Sequence, residues 1–160
     1  MISHSENPRA FKHDSKHTLP VFYRSIKKAW MTRVLFEDWF ITCFIPRVKE
    51  YCLQQGTAFK ILLILDNAPG HPPNLDDLYP DVKVVYIPLN TTSIIQPMDQ
   101  GAITALKANY LRTTFAQAVA ATEGEKTLRE FWKDYNILKC IKNIAAAWDE
   151  VTGQCMNGIC

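Results

Sequence analysis

The sequence lacks the features that identify several common classes of protein. Its five cysteines include no C-x-x-C pair and their number is odd, which argues against a disulfide framework and a zinc site, so we expect reduced thiols in the cytosol or nucleus. The longest aliphatic run, Ile61–Leu65, is too short to cross a membrane, and residues 1–15 contain no apolar signal-peptide core. No G-x-G-x-x-G, Walker or G-x-S-x-G motif indicates nucleotide binding or acyl transfer.

The net charge of the chain is small, but its charged residues are unevenly distributed. The formal net charge is only +2, which excludes a histone-like protein. Residues 1–33 nevertheless hold seven basic and two acidic residues, whereas the rest of the chain holds eleven basic and fourteen acidic ones. A basic N-terminal region on a mildly acidic body indicates a polyanion partner such as DNA, although a solvated arm explains the same charges. The candidate phosphate contacts in this region are Arg24, Lys27, Lys28 and Arg33.

The hydrophobic pattern predicts an α/β fold with a sheet flanked by helices. The unbroken apolar segment Lys60–Leu65 is typical of a strand that is buried on both faces, as in a parallel sheet. Thr32 is a plausible N-cap of a helix that Pro46 should kink or restart. Further elements are predicted as an edge strand at 19–24, a helical turn at 75–78, a second buried strand at 82–87, and helices at 101–121, from 127, and at 137–151.

Two aspartates stand out by their position. Asp66 directly follows the apolar strand, where functional groups gather in open α/β sheets, and Asp99 lies 33 positions later at the start of a predicted helix. If that helix packs beside the strand, the two carboxylates converge, and converging carboxylates without a Cys or His cluster suit Mg²⁺ or Mn²⁺. The alternative is structural: Asp66 starts a turn, and Asp99 caps a helix.

Several segments resemble one family. The stretches L-L-I-L-D-N-A-P-G-H-P (62–72) and Y-I-P-L-N-T-T-S-I-I-Q-P-M-D-Q-G (86–101) are similar to the DDE superfamily endonuclease domain of Tigger/pogo-type transposases, which share ancestry with the Jerky proteins and centromere protein B. Matches continue in the family's order along nearly the whole chain. They include S-E-N-P-R-A (5–10), L-P-V-F-Y-R-S-I-K-K-A-W-M-T (19–32), F-E-D-W-F (36–40), T-L-R-E-F-W (127–132) and A-A-A-W-D-E-V (145–151).

The resemblance implies a chemistry and a location. Asp66 resembles the family's second catalytic acid and Asp99 its third, so both are expected to hold Mg²⁺ or Mn²⁺ for phosphodiester cleavage and strand transfer in the nucleus. Motif residues around the two acids are expected to support this pocket: Asn67, His71, Gln96 and Gly101. The implied fold is RNase H-like, a mixed sheet with helices on both sides. We expect a basic arm at 1–18, a partial core at 19–122 and a C-terminal helical extension at 123–160.

One departure from the family pattern bears on activity. The family's first catalytic Asp lies on an opening strand before the S-E-N-P-R-A segment, and neither Glu6 nor Asp14 matches it. We therefore expect this chain to lack the first strand of the sheet and to be catalytically impaired. The rival hypothesis is a domesticated remnant without catalysis, which associates with itself or with a partner protein through the exposed sheet edge.

Overall fold

In the computed structural model, the described residues are 1–88, 90–91, 96, 98, 101–124 and 126–152. They form two compact units, and each is described by itself. The first consists of Met1–His4 with Arg24–Gln96, and the second of Ser5–Tyr23 with Pro97–Cys160. The described residues include no helix that is both long and apolar enough to cross a membrane.

The first unit contains two small parallel sheets. Strand β1 (Ile2–Ser3) pairs with β2 (Arg24–Ser25), and β3 (Ile61–Leu65) pairs with β4 (Val82–Tyr86) in a register that sets Ile61 beside Val82. A mixed α/β chain with parallel strand pairing is thus confirmed. The edge strand predicted at 19–24 is wrong, since only Arg24 of that segment joins a ladder. Pro20 has no N–H to donate to one.

The β3–β4 sheet is covered on one face. Val82 and Val84 are buried, and Ile61, Leu63 and Leu65 pack against the same core. On the other face Leu62, Ile64 and Val85 are exposed, with 55% of Ile64 accessible. The prediction that these strands are buried on both faces is therefore wrong: the core of the first unit lies against only one side of the sheet.

Helices α1 (Arg33–Trp39) and α2 (Ile45–Gln54) supply that core, together with the short α3 (Leu75–Leu78). The hydroxyl of Thr32 accepts a hydrogen bond from the Leu35 amide, which confirms the predicted cap. Between α1 and α2 the chain makes a π-helical turn at Phe40–Phe44, and α2 begins with Pro46 in its first turn. Because proline has no N–H for the preceding turn, the predicted restart at Pro46 is confirmed.

The second unit is mainly helical. Its helices are α4 (Ala102–Glu123), α5 (Leu128–Asp134) and α6 (Ile137–Asp149), close to the predicted positions. Thr127 and Glu130 form a capping box at the start of α5, where the sequence predicts that a helix begins. Helix α4 packs against both α5 and α6. The side-chain amide of the buried Asn143 joins them through hydrogen bonds to Thr114, Gln117 and Tyr135, at 3.1 Å each. Phe11 of the N-terminal segment is also buried, edge-on to Tyr23.

Candidate functional site

Asp66 lies where the sequence predicted it, immediately after β3. The amide of Ile87, just beyond β4, donates a 2.8 Å hydrogen bond to the carbonyl oxygen of Leu65, so the two strands stay paired up to this point. The Asp66 side chain is 23% exposed. A carboxylate here stands at the carboxyl end of a parallel strand pair, the usual position of functional groups in open α/β sheets.

His71 holds the Asp66 side chain. Its Nδ1 lies 2.8 Å from Asp66 Oδ1 and 2.9 Å from the Asp66 carbonyl oxygen. Because both of these oxygens are hydrogen-bond acceptors, we assign a hydrogen to Nδ1. The Phe36 ring packs against the imidazole at a centroid distance of 4.6 Å. His71 thus positions the carboxylate, and α1 positions His71.

The loop after Asp66 folds back on itself. The Ala68 amide donates to Asp66 Oδ1 at 3.3 Å, and the His71 amide donates to the Ala68 carbonyl oxygen at 2.9 Å. The turn-forming role considered for Asp66 is therefore present, and it uses Oδ1. No hydrogen bond from the described residues reaches Oδ2. Asn67, in the same loop, is exposed.

Contacts from both sides fix this loop in place. Arg33 Nε donates to the Pro69 carbonyl oxygen at 3.3 Å. A Cβ added to Gly70 would lie 3.0 Å from the Met31 carbonyl oxygen, so the close approach of the backbone leaves little room for a side chain. The Tyr86 hydroxyl donates to the Pro72 carbonyl oxygen, and burial followed by the charge of Asp76 raises the pKa of the Tyr86 phenol. The Asp66 loop is therefore anchored to α1 and to the end of β4.

The second predicted acid, Asp99, lies outside the described residues, so its convergence with Asp66 stays a prediction. Gln96 and Gly101, from the same motif, are described: Gln96 is half-buried, and Gly101 has φ 139° just before α4. Only glycine adopts such a backbone angle readily. Within the described ranges there is no group of three or more His, Cys, Asp or Glu side chains that could together hold a metal ion.

The four predicted phosphate contacts differ in their surroundings. Arg24 is half-buried and paired with Asp38, with Nε 2.5 Å from Oδ2 and Nη2 3.3 Å from Oδ1. Lys27, Lys28 and Arg33 are exposed. The sequence gives no sign that Asp38 pairs with Arg24, because no local spacing rule connects an arginine to an acid fourteen residues away. Phe36 belongs to an apolar row at helical spacing, and this row is the signal in the sequence that could have indicated its burial beside His71.

Comparisons with known proteins agree on one family. The family model described as DDE superfamily endonuclease matches residues 1–158. The chain is 34% identical to human Tigger transposable element-derived protein 7 over 94% of its own length, and 30% identical to the human Jerky protein homolog over 94%. It is 27% identical to mouse Tigger transposable element-derived protein 4 over 95%.

These similarities concern part of each relative. The matched region covers 30%, 25% and 26% of those three proteins, respectively, so the chain spans less than a third of their length. No solved structure is significantly similar to the chain.

Proposed function

The chain belongs to the DDE superfamily endonucleases as a transposase-derived domain, and we propose that its Asp66 is a ligand of a divalent cation, Mg²⁺ or Mn²⁺. The observation that carries this proposal is that the two oxygens of the Asp66 carboxylate have different contacts. Asp66 Oδ1 is held by His71 and Ala68, and Oδ2 accepts no hydrogen bond from the described residues. A carboxylate that is oriented through one oxygen suits a hard cation, which can be bound by the other.

The donor chemistry at Asp66 fits such an ion, and we propose Asp99 as the second ligand. In related chemistry the metal activates a water molecule and stabilises the leaving oxygen during phosphodiester cleavage. Within this chain, Asp66 would bind the divalent cation, and His71 would orient the Asp66 carboxylate. Motif residues around the two acids would shape the pocket: Asn67, Gln96 and Gly101.

Metal binding is tested by titrating Mn²⁺ into the full chain in a calorimeter. We expect binding in the wild-type protein and its loss in Asp66→Asn, which removes a negative charge and preserves the size of the side chain. Asp77→Asn, the same substitution at an exposed position of α3, is the matched control and should bind like wild type. Binding that survives Asp66→Asn, or no binding by the wild type at millimolar Mn²⁺, would contradict the proposal.

The convergence of the two acids is tested separately. If Asp99 shares the cation with Asp66, Asp99→Asn should weaken Mn²⁺ binding as severely as Asp66→Asn, and the double variant should be no worse than either. Affinity unchanged in Asp99→Asn would separate the two aspartates and leave Asp66 as a single ligand.

We propose that the 160-residue chain cleaves DNA poorly by itself. Two carboxylates offset less of the cost of dehydrating Mg²⁺ than the three acids of the family pattern. Supercoiled plasmid incubated with the chain and Mg²⁺ or Mn²⁺ should therefore stay intact. Nicking that disappears in both Asp66→Ala and Asp99→Ala would overturn this expectation.

The proposed polyanion partner is DNA, bound in the nucleus. Lys27, Lys28 and Arg33 are exposed, and the hydrogen bond from Arg33 to Pro69 sets a guanidinium on the same loop as Asp66. Arg24 contributes least to phosphate attraction because Asp38 offsets its charge. A fluorescent fusion of the chain should accumulate in the nucleus; exclusion from it would contradict the proposed location.

A second candidate function, an interaction module without catalysis, is favoured by the exposed face of the β3–β4 sheet. Leu62, Ile64 and Val85 form an apolar surface there, and among the described strands only β4 pairs with β3, so the other edge of β3 is open. Under this alternative, Leu62→Lys with Ile64→Lys should abolish capture of a partner protein and leave Mn²⁺ affinity unchanged. Metal binding lost in Asp66→Asn favours the first function, and its absence in the wild type favours the second.

A further inference from the structure

Helix α4 is apolar on more than the face it packs with. Ala102, Thr114 and Ala118 are buried among the helices of the second unit. Yet Leu111, Phe115 and Val119, spaced four residues apart, are exposed, with 53% of Phe115 accessible. This exposed row lies beside the packed stripe of α4, and large apolar side chains that cluster on a surface mark an interaction site. The exposed row on α4 therefore indicates a partner.

Neighbouring aromatic and aliphatic side chains enlarge this surface. Trp132 of α5 lies edge-on to Phe115 at a centroid distance of 6.1 Å and is itself exposed, as is Leu128. Exposed aromatic groups that cluster in this way are typical of interface centres, where they bury a large area with little loss of side-chain freedom. We call Leu111, Phe115, Val119, Leu128 and Trp132 the α4 patch.

The charges that flank the patch identify the partner. Lys107 precedes Leu111 by four residues, and Glu123 follows Val119 by four, so both continue the same row, and both are exposed. The row is centred on Phe115. It is apolar in the middle, with a positive charge at one end and a negative charge at the other. A second copy of the row, placed antiparallel, sets Lys107 beside the partner's Glu123 and Leu111 beside the partner's Val119.

We propose that this chain forms a two-fold symmetric homodimer through the α4 patch, with Phe115 beside the axis. A two-fold interface uses the same surface on both copies, which a self-complementary row satisfies. Rows of residues spaced by four interdigitate when two helices cross at about −50°, the commonest packing of helices in globular proteins. This proposal is independent of the metal site.

The dimer is tested by sedimentation velocity of the full chain across the micromolar range. The wild type should change from monomer to dimer with rising concentration. Phe115→Asp places two carboxylates at the axis and should raise the dissociation constant by at least about tenfold. A wild type that stays monomeric throughout would overturn the proposal. Association that Phe115→Asp leaves unchanged would also overturn it, and would point to the open sheet edge instead.

Charge reversal tests the antiparallel register without changing the apolar surface. Lys107→Glu sets like charges beside the partner's Glu123 and should weaken the dimer, and adding Glu123→Lys should restore it. Lys142→Glu, the same reversal at an exposed position of α6, is the control and should leave the dimer unchanged. Failure of the double variant to recover, with circular dichroism and melting temperature unaltered, would exclude this register.

Discussion

At the scale of single residues, one oxygen of the Asp66 carboxylate is committed to its own loop. His71 Nδ1 lies 2.8 Å from Oδ1 and the Ala68 amide donates a hydrogen bond to the same oxygen, so rotation of the side chain would break both contacts. Hydrogen-bond partners of metal-binding side chains commonly raise metal affinity by fixing ligand orientation. His71 therefore matters to metal binding although the proposal gives it no contact with the ion.

Removing His71 should weaken the metal site. We expect His71→Ala to raise the Mn²⁺ dissociation constant by roughly 10- to 100-fold in calorimetry, because Asp66 loses its orienting donor. His71→Asn should recover part of the affinity, since its amide nitrogen can occupy the place of Nδ1. His13→Ala, at an exposed histidine, is the control. Equal affinity in wild type and His71→Ala would show that the contact is only structural.

Gly70 should tolerate no side chain. A Cβ would lie 3.0 Å from the Met31 carbonyl oxygen, a backbone atom that cannot rotate away, so the loop must shift. We expect Gly70→Ala to lower the free energy of unfolding in urea by about 1–3 kcal/mol through overpacking. At Gly124 an added Cβ meets ordinary contacts of 3.7 Å and 3.8 Å, so Gly124→Ala is the matched control. A Gly70→Ala variant as stable as that control would contradict the tight packing.

At the scale of elements, the capping box of α5 predicts a pH dependence. Hydrogen bonds from the amide and hydroxyl of Thr127 lower the pKa of Glu130 below its ordinary value. The ionised form therefore favours the folded state. Its contribution is fully present above the ordinary glutamate pKa and is lost as the pH falls through the lowered value.

We expect the wild type to lose thermal stability as the pH falls below the ordinary glutamate pKa, in melting followed by circular dichroism, and Glu130→Gln to lose less. Glutamine accepts the same hydrogen bonds without titrating, so the difference between the two melting curves should shrink toward low pH. Glu37→Gln, in α1, controls for the loss of one charge. Parallel pH profiles for wild type and Glu130→Gln would show that the box contributes nothing through its charge.

The elements that sequence predicts well are those with a local cause. Thr32, Pro46, and the pair Thr127 and Glu130 each act on backbone groups within a few residues, so the helix starts at α1, α2 and α5 follow from spacing alone. The strand predicted at 19–24 failed because strand formation depends on a distant segment, and the ladder with β1 begins only at Arg24, which pairs with Ile2. Which face of β3 is covered likewise depends on distant helices, and an unbroken I-L-L-I-L carries no alternation to reveal it.

The candidate site likewise has features that the sequence predicts and contacts that it does not. Asp66 was predicted from its position after a strand, and the resemblance added His71. Neither source gave the contacts of Arg33 with Pro69 or of Gly70 with Met31, which join segments more than thirty residues apart in the chain. Such long-range contacts depend on how α1 packs beside β3, and no periodic pattern encodes that packing.

At the scale of the whole molecule, the positions of the charged residues matter more for the proposed DNA binding than the net charge does. A net charge of +2 gives little general attraction for DNA, so the proposed DNA binding depends on a few exposed cations of the basic N-terminal region. Each phosphate contact contributes about −0.9 to the slope of log affinity against log salt concentration. Lys27, Lys28 and Arg33 together therefore predict a shallow slope of about −3.

Fluorescence anisotropy with duplex DNA over a series of KCl concentrations measures this slope. The Lys27→Ala, Lys28→Ala double variant should flatten it to about −1 and weaken binding uniformly across sequences, because phosphate contacts carry no base information. Arg24→Ala should change the slope least, since its charge is already offset by Asp38. Lys142→Ala, on the helical second unit, is the control. Affinity that is indifferent to salt, or a slope unaltered in the double variant, would remove the basic N-terminal region from the DNA interface.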